Sequence, residues 1–366
     1  MRSIKNKKTA AGVHSTAELA KRLNLSRWTI SRVLNGHDGV HPKTVARIQA
    51  AMSRYGFSPN ALAQGLKTGC TNIIGICLPE IEGLYLGQKL EFLREALAAK
   101  GFHVMMGMTN GNAQEELATL SRFRELRVAG VILVASQIPP ANAAIQQFLK
   151  SRTPLIQIDP MMEPPAGSIC VDRGKGMKEA VRHLFDLGHR HIATLGFSRG
   201  CWYSQQRLQA ILATYQEQGI KPQKYLHLIG LPWEEGSFYQ RGRDIAATVW
   251  AHPCGTRRNA QSPTAVLALN DRLALGFIDG LRALGARVPE DVSVIGYDNM
   301  EVGAFVSPRL ATIDARPDEL IRTATERLLQ RIHGNEPADE IFVSIPARLL
   351  RRESTGLRPK NQRSSF

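Results

Sequence analysis

From residue 72 onward, short and wholly apolar runs alternate with helix-length stretches, and this alternation leaves few folds open to the chain. The runs are "NIIGICL", "HVMMGMT", "GVILVA", "LIQID", "SICVD", "HIATLGF", "AVLALN", "VSVIGYD" and "IFVSIPA". Between them lie amphipathic segments such as "YLGQKLEFLREALAAKG" and "ELIRTATERLLQRI". A strand wetted on one side alternates polar and apolar residues, whereas one apolar on both faces belongs to a parallel sheet covered by helices. The body is therefore expected to be α/β, in two halves of about 120–150 residues each.

In such folds ligands sit beyond the carboxyl ends of the strands, so residues just after each run are the site candidates. Asp159 follows "LIQI", Asn270 and Asp271 follow "AVLAL", Asp298 follows "VSVIGY", and Arg207 lies in the helix after "HIATLGF". Carboxylates and an amide hydrogen-bond to vicinal hydroxyls, and an Arg forks onto a hydroxyl pair or a carboxylate. The set suits a hydroxyl-rich ligand. The alternative for each residue is a capping or salt-bridging role at a helix start, above all for Asp271 and Asp172.

Composition narrows the function classes. Hydrophobic residues make up 43% of the chain, but no apolar run is long enough to span a membrane. The segment "MRSIKNKKTAAGVHS" is basic and lacks the apolar stretch of a secretory signal. Cys70, Cys77, Cys170, Cys201 and Cys254 form neither a disulfide framework nor metal-type pairs, which implies reduced thiols in a cytoplasm. The net charge of +15 is concentrated at the ends. Residues 1–66 hold 11 Lys/Arg against 2 Asp/Glu, residues 348–366 hold 6 against 1, and the 281 residues between hold 30 against 29. A basic head on a neutral body points to a polyanion met at one end, with nucleic acid ahead of an anionic membrane surface.

The head reads as three helices. In "STAELAKRL", Ser15 stands at an N-cap position with Glu18 three residues on, the capping-box pattern. Asn24 tolerates the left-handed turn that follows, Leu25 can fill the corner, and Ser26 can cap a second helix, "RWTISRVL". There Ile30, Val33 and Leu34 share one face, while Trp28, Ser31 and Arg32 face away; Asn35-Gly36 ends the helix. Two short helices joined by a tight turn make a helix-turn-helix, whose second helix fits the major groove. Arg27 can fork onto a guanine and Trp28 can cover a thymine methyl, with Thr29, Ser31 and Arg32 placed for phosphates or a neighbouring base. A third helix runs from Pro42 to Tyr55 on the stripe Val45, Ile48, Met52 and Tyr55, closed by Gly56. In "SPNALAQGLKTG" a short helix is expected from Ser58 and Pro59 to Leu66, too short to hold alone in water.

Residues 15–69 resemble the head and hinge of the lactose-repressor family of bacterial transcription regulators, on "LSRWTISRVLNG" and "YGFSPNALAQGL". The body is similar to that family in "VDRGKGMKEAVRHLFDLGHRHIATLGF", "ALNDRLALGFIDGLRALGARVPEDVSVIGYDN", "SPRLATI" and "LLRREST". Asn24, His41 and Trp28 depart from its usual residues. The resemblance implies a helix-turn-helix head with a hinge helix, and a periplasmic-binding-protein-like body of two Rossmann-like subdomains. It implies DNA contacts at Ser15, Thr16, Ser26, Arg27, Trp28, Thr29, Ser31, Arg32, Asn35, Asn60, Ala63 and Leu66, with Leu66 wedged into the minor groove. Effector contacts are implied at Asp159, Arg207, Asn270 and Asp298, with Trp233 as an aromatic platform.

The domain plan expected is residues 1–57 for DNA binding, 58–71 for the hinge, 72–355 for effector binding and dimerisation, and 356–366 as a basic, disordered tail. The expected protein is a cytoplasmic homodimer that reads a palindromic operator under a sugar-like effector. It is expected to need no cofactor or metal and to touch no membrane. A transporter-type solute-binding protein shares the body plan but needs a secretory signal and no basic head. "GFSRG" at 196–200 fits the nucleophile-elbow pattern of a serine hydrolase on Ser198, yet no later His sits in a matching motif. "GKG" at 174–176 lacks the spacing of a phosphate loop, and "HRH" at 189–191 reads as surface or capping imidazoles rather than metal ligands.

Overall fold

The computed structural model describes residues 13, 15–34, 38–57, 71–79, 87–139, 141–151, 153–165, 167–197, 202–231, 237–250, 261–334 and 342–359. The chain divides into two compact units, residues 1–72 and 73–366.

In the first unit, α1 (Thr16–Leu23), α2 (Arg27–Leu34) and α3 (Pro42–Tyr55) enclose a small core of Val13, Leu19, Ala20, Leu23, Ile30, Ile48, Ala51 and Phe57. Local chemistry sets each boundary. Ser15 Oγ accepts from Glu18 N at 3.1 Å, and Ser26 Oγ accepts from Thr29 N at 3.0 Å. Asn24 takes the left-handed conformation at φ 49°, so the amide does what a turn glycine would do. His41 Nδ1 accepts from Lys43 N at 3.3 Å, an imidazole in the place of a capping hydroxyl. Arg47 of α3 donates to Leu23 O at 2.8 Å, a cation set at the carbonyl end of α1.

The second unit holds two six-stranded sheets. The first has the order β11-β5-β4-β3-β1-β2, from β1 (Ile73–Leu78), β2 (His103–Met108), β3 (Gly130–Val134), β4 (Leu155–Ile158), β5 (Ile169–Asp172) and β11 (Val343–Pro346), all parallel. The second has the order β12-β10-β9-β8-β6-β7. Its strands are β6 (Ile192–Leu195), β7 (Leu226–Ile229), β8 (Ala265–Ala268), β9 (Ser293–Tyr297), β10 (Ala311–Asp314) and β12 (Arg348–Leu350), parallel except for β12. The interior strands β3, β4, β6, β8, β9 and β10 are buried along their length, which is why most of their residues are apolar. β7, β10 and β12, three or four residues each, were not among the strands expected from sequence.

The connecting helices are α4 (Gly87–Ala98), α5 (Ala113–Glu125), α6 (Ala143–Lys150), α7 (Arg173–Asp186), α8 (Trp202–Glu217), the short α9 (Pro222–Tyr225), α10 (Phe238–Trp250), α11 (Asp271–Ala283) and α12 (Pro317–Ile332). The two sheets are not two consecutive halves of the chain. After β10 the chain leaves the second sheet, α12 packs on β3, β4 and β5, and β11 joins the first sheet beside β5. It then returns as β12. α7 lies against β10 and the β11–β12 passage. A Cβ at Gly176 would meet Ile313 Cγ2 at 2.5 Å and Ala347 Cβ at 3.0 Å. The "GKG" glycines thus open a closely packed helix rather than a phosphate loop.

The "HRH" expectation needs correction. His189 and His191 are buried, because the turn at Gly188 (φ 87°) folds the segment under the second sheet and the C-terminal segment closes over it. His189 Nδ1 meets Thr264 Oγ1 at 2.9 Å, and its Nε2 lies 3.0 Å from both Gly356 O and Ser293 Oγ. Of the tail expected over 356–366, residues 356–358 are held in the same way, and 360–366 lie outside the described residues. Arg358 N donates to Leu187 O at 2.9 Å, and Ser354 is fully buried between Val294 O and Ala311 N, so the chain stays tied to the body through 358.

This hub makes acid stability testable. Burial pulls the His189 imidazole down to about 4, with Arg358 acting in the same direction. The unfolded imidazole takes up a proton near 6.5 and the folded one only near 4, so stability is full above that window and is lost as pH falls through it. Unfolding free energy is expected to drop by about 2 kcal/mol from this group between pH 7 and pH 5. Urea titrations of wild type and His189→Gln across that range check this, the variant having the flatter profile.

Candidate functional site

On the head, α2 turns Ile30 fully inward and leaves Arg27 and Trp28 on the outside, Trp28 being 64% exposed. A large indole left in water at the first turn of a helix is an uncommon arrangement. Ser26 and Thr29 hydroxyls bond each other at 2.8 Å, which fixes the start of α2. The Arg32 guanidinium lies 4.8 Å over the Trp28 ring and donates to Asp38 O, so it orients the indole and latches the loop after α2. Ser15 is exposed at the N-cap of α1, with Thr16 half-buried beside it. Asn35, Asn60, Ala63 and Leu66 lie outside the described residues.

In the body, a polar cluster gathers at the carboxyl ends of strands from both sheets. Asp159 follows β4 with φ 47°, and its carboxylate is gripped by Arg173: Oδ1 accepts from Nη1 at 2.7 Å and Oδ2 from Nη2 at 2.9 Å. Oδ1 also accepts from Val171 N at 2.9 Å. The Arg173 guanidinium stacks 4.9 Å from the Tyr203 ring of α8. Arg207, one turn further along α8, lies 3.9 Å over the ring of Tyr297, the last residue of β9. Trp202 N donates to Met161 O at 2.9 Å, tying the start of α8 to the loop after β4. Phe197, after β6, faces Arg207 at 5.9 Å. Burial holds the Tyr297 phenol above its usual range, so it stays a hydrogen-bond donor.

Asp298 follows Tyr297, half-buried, at φ 106°, a backbone strained for any residue with a Cβ. Several contacts hold that loop. Asp298 N donates to Ile313 O at 2.9 Å, Met300 N donates to Asp271 Oδ2 at 2.7 Å, and Arg352 donates to Asn299 Oδ1 at 2.8 Å. Asp271, fully buried, also accepts from Thr312 Oγ1 at 2.5 Å. Burial, then the charge of Asp298, pushes its carboxyl up to about 8. It braces the strained turn from beneath. Asn270 caps α11 by accepting from Leu273 N at 2.8 Å, and Asp172 caps α7 by accepting from Lys175 N at 3.0 Å. For these two residues the capping role is the one observed. Trp233 and Ser198 lie outside the described residues.

Two family models match the chain: "Bacterial regulatory proteins, lacI family" over residues 17–60, and "Periplasmic binding protein-like domain" over residues 181–355. The catabolite control protein A of Priestia megaterium is 25% identical over 92% of this chain and 98% of its own length. The HTH-type transcriptional repressor PurR of Pectobacterium carotovorum is 28% identical over 92% of this chain and 95% of its own length. Among solved structures, a lac repressor dimer bound to operator and the anti-inducer ONPF is 25% identical, covers 94% of this chain and 99% of its own, and superposes with a TM-score of 0.79. The chain joins a segment matching the lacI-family model to a periplasmic-binding-protein-like body, the layout of these relatives. It is an effector-controlled, DNA-binding regulator of transcription and not an enzyme.

Arg173, Tyr203, Tyr297 and Phe197 of this regulator were not singled out from sequence. Each sits within two residues of a strand end or in the first turn of α8, so adjacency could have nominated them. What sequence does not carry is the pairing, because Asp159 and Arg173 come together only when β4 and β5 lie side by side. A LacI family transcriptional regulator from Enterococcus faecium with bound ribose is 25% identical, with a TM-score of 0.66 over 78% of this chain and 99% of its own.

Proposed function

We propose that the chain is a cytoplasmic, homodimeric repressor whose grip on a near-palindromic operator is set by a sugar or sugar derivative held between the two sheets of the body. One observation carries the reading. Asp159, Arg173, Arg207 and Tyr297 form a single cluster contributed by strand ends of both sheets, so a ligand seated there has different contacts when the sheets close. The ribose held by the Enterococcus faecium relative supports a sugar-like occupant, and the DNA-bound lac repressor dimer supports the operator and the twofold assembly. Arg207 and Asp298 are assigned to effector contact with Asp159, Asn270 and Trp233 beside them. Arg27 and Trp28 are assigned to base edges, and Ser15, Thr16, Ser26, Thr29, Ser31 and Arg32 to phosphates or orientation. Leu66 is assigned to the minor groove on the family pattern.

Selection from random duplexes tests the reading, followed by binding assays with and without candidate sugars. Specific binding about 10³-fold or more above random DNA, changed by one sugar, is expected; equal binding to every duplex, indifferent to every sugar, sinks it. Leu66→Ala is expected to weaken the selected site far more than random DNA. The twofold contact is assigned to the edge strands β2 and β7, which expose Met106, Met108 and Leu228. Met108→Lys with Leu228→Lys is expected to shift sedimentation toward monomer, and an unchanged dimer would reject that face.

A further inference from the structure

We propose that residues 2–8 make a second DNA contact, in which Arg2, Lys5, Lys7 and Lys8 neutralise phosphates of the duplex beside the half-site that α2 reads. This rests on the head being a DNA-reading module and adds a contact outside its three helices. Residues 1–12 lie outside the described residues, and they hold those four cations with no Asp or Glu among them. Val13 fixes where the run is tethered. It is buried in the head core with Leu19, Leu23, Ile30 and Ile48, two residues before Ser15, the exposed N-cap of α1. Twelve residues reach at most about 40 Å from that anchor, roughly one turn of duplex.

The three-helix head commits much of its own positive charge internally. Residues 13–57 hold seven Lys/Arg, and four of them are engaged within the head. Arg47 donates to Leu23 O at 2.8 Å, and Arg32 lies over Trp28 and donates to Asp38 O. Arg22 is 3.7 Å from Glu18 and 4.9 Å over the ring of Tyr55, with Arg54 5.7 Å from the same ring. The run before Val13 has no acid of its own to pair with, and it carries more than a third of the 11 Lys/Arg in residues 1–66. Held beside a duplex, such a run releases condensed counterions, which is the driving force for phosphate binding. Three of the four cations are lysines, compact point charges suited to phosphates rather than to forked reading of a base. The contact is therefore indifferent to base sequence. An anionic bilayer is the other polyanion, but a segment that seeks a membrane surface needs a broad apolar face, and "MRSIKNKKTAAG" supplies only Met1 and Ile4 as large apolar side chains.

The test is fluorescence anisotropy on the full chain from about 50 to 200 mM KCl. The probes are the site chosen by selection, flanked by about ten base pairs on each side, and a random duplex of equal length. The variant Arg2→Gln/Lys5→Gln/Lys7→Gln/Lys8→Gln is expected to bind both duplexes about tenfold or more weaker at about 100 mM salt, with a salt slope lower by about 2–4 per head. Lys5→Arg/Lys7→Arg/Lys8→Arg is expected to behave as wild type, because charge is what acts. Trimming the flanks from the selected site should weaken the wild type and leave the neutralised variant unaffected. Flank trimming on the wild type decides the matter alone if the variant does not fold. An unchanged slope on both duplexes overturns the proposal, and so does a loss confined to the selected site, which moves the contact to base edges. Vesicles of phosphatidylserine that bind wild type but not the variant, with DNA binding unaltered, assign the run to a membrane and overturn it as well. If selection yields no consensus while the variant still loses random duplex, the regulator reading fails and the phosphate contact stands.

Discussion

Arg173→Ala is expected to destabilise the body by about 3–5 kcal/mol, because it leaves the Asp159 carboxylate buried with its counter-charge gone. Both side chains are about 6% exposed, and the two short contacts make the pair bidentate. Val171 N remains as a donor to Oδ1, which a lone carboxylate in this setting finds insufficient. The pair itself need not be strongly stabilising: removing both charges together with packed apolar replacements is often neutral or better. The double variant Arg173→Met/Asp159→Leu is therefore expected to recover most of the loss. Chemical denaturation of the two single variants and the double closes the cycle. Equal, additive losses would show that the pair is not the unit drawn here. Recovery of stability without recovery of effector binding would assign the ion pair to shaping the cleft.

Arg27→Ala is expected to remove about 1–3 kcal/mol of preference for one base pair, roughly 5- to 150-fold in discrimination, while binding to random DNA falls only modestly. The reason is geometric. Arg27 opens α2 on its exposed side, where a helix entering the major groove brings its first residues to the base edges. Trp28 beside it is clamped by Arg32, so the indole meets DNA pre-oriented. Selection from random duplexes reads the outcome directly: a position of the consensus should lose its information in the variant. The same consensus from both proteins would move base reading elsewhere on the head.

Much of the fold was readable from residues because local chemistry and pattern agree. Ser15, Ser26 and Gly56 mark helix ends through bonds to their own neighbours, and Asn24 adopts the left-handed turn that its short amide permits. The buried strands announce themselves as apolar runs, since both their faces are covered. β7 and β12 escaped notice because they are only partly buried and carry His227 and Arg348, and β10, though buried, carries Thr312 and Asp314, so none reads as an unbroken apolar run. The histidines of "HRH" were misjudged because nothing local says that residues 354–358 will come back to cover them.

The site divides along the same line. The strand-end rule nominated Asp159, Arg207, Asn270 and Asp298, but it could not say that Asn270 spends its carbonyl on a helix cap, or that Asp159 is held by Arg173. The sequence alone determined a basic three-helix head, an α/β body and the positions where polar groups stand after strands, since these follow from periodicity, capping and charge. Only the tertiary structure decided which of those groups meet: the sheet order places β4 beside β5, and α8 lays Arg207 on the end of β9. Contacts between residues distant in sequence depend on register and packing, which no local pattern of side chains encodes.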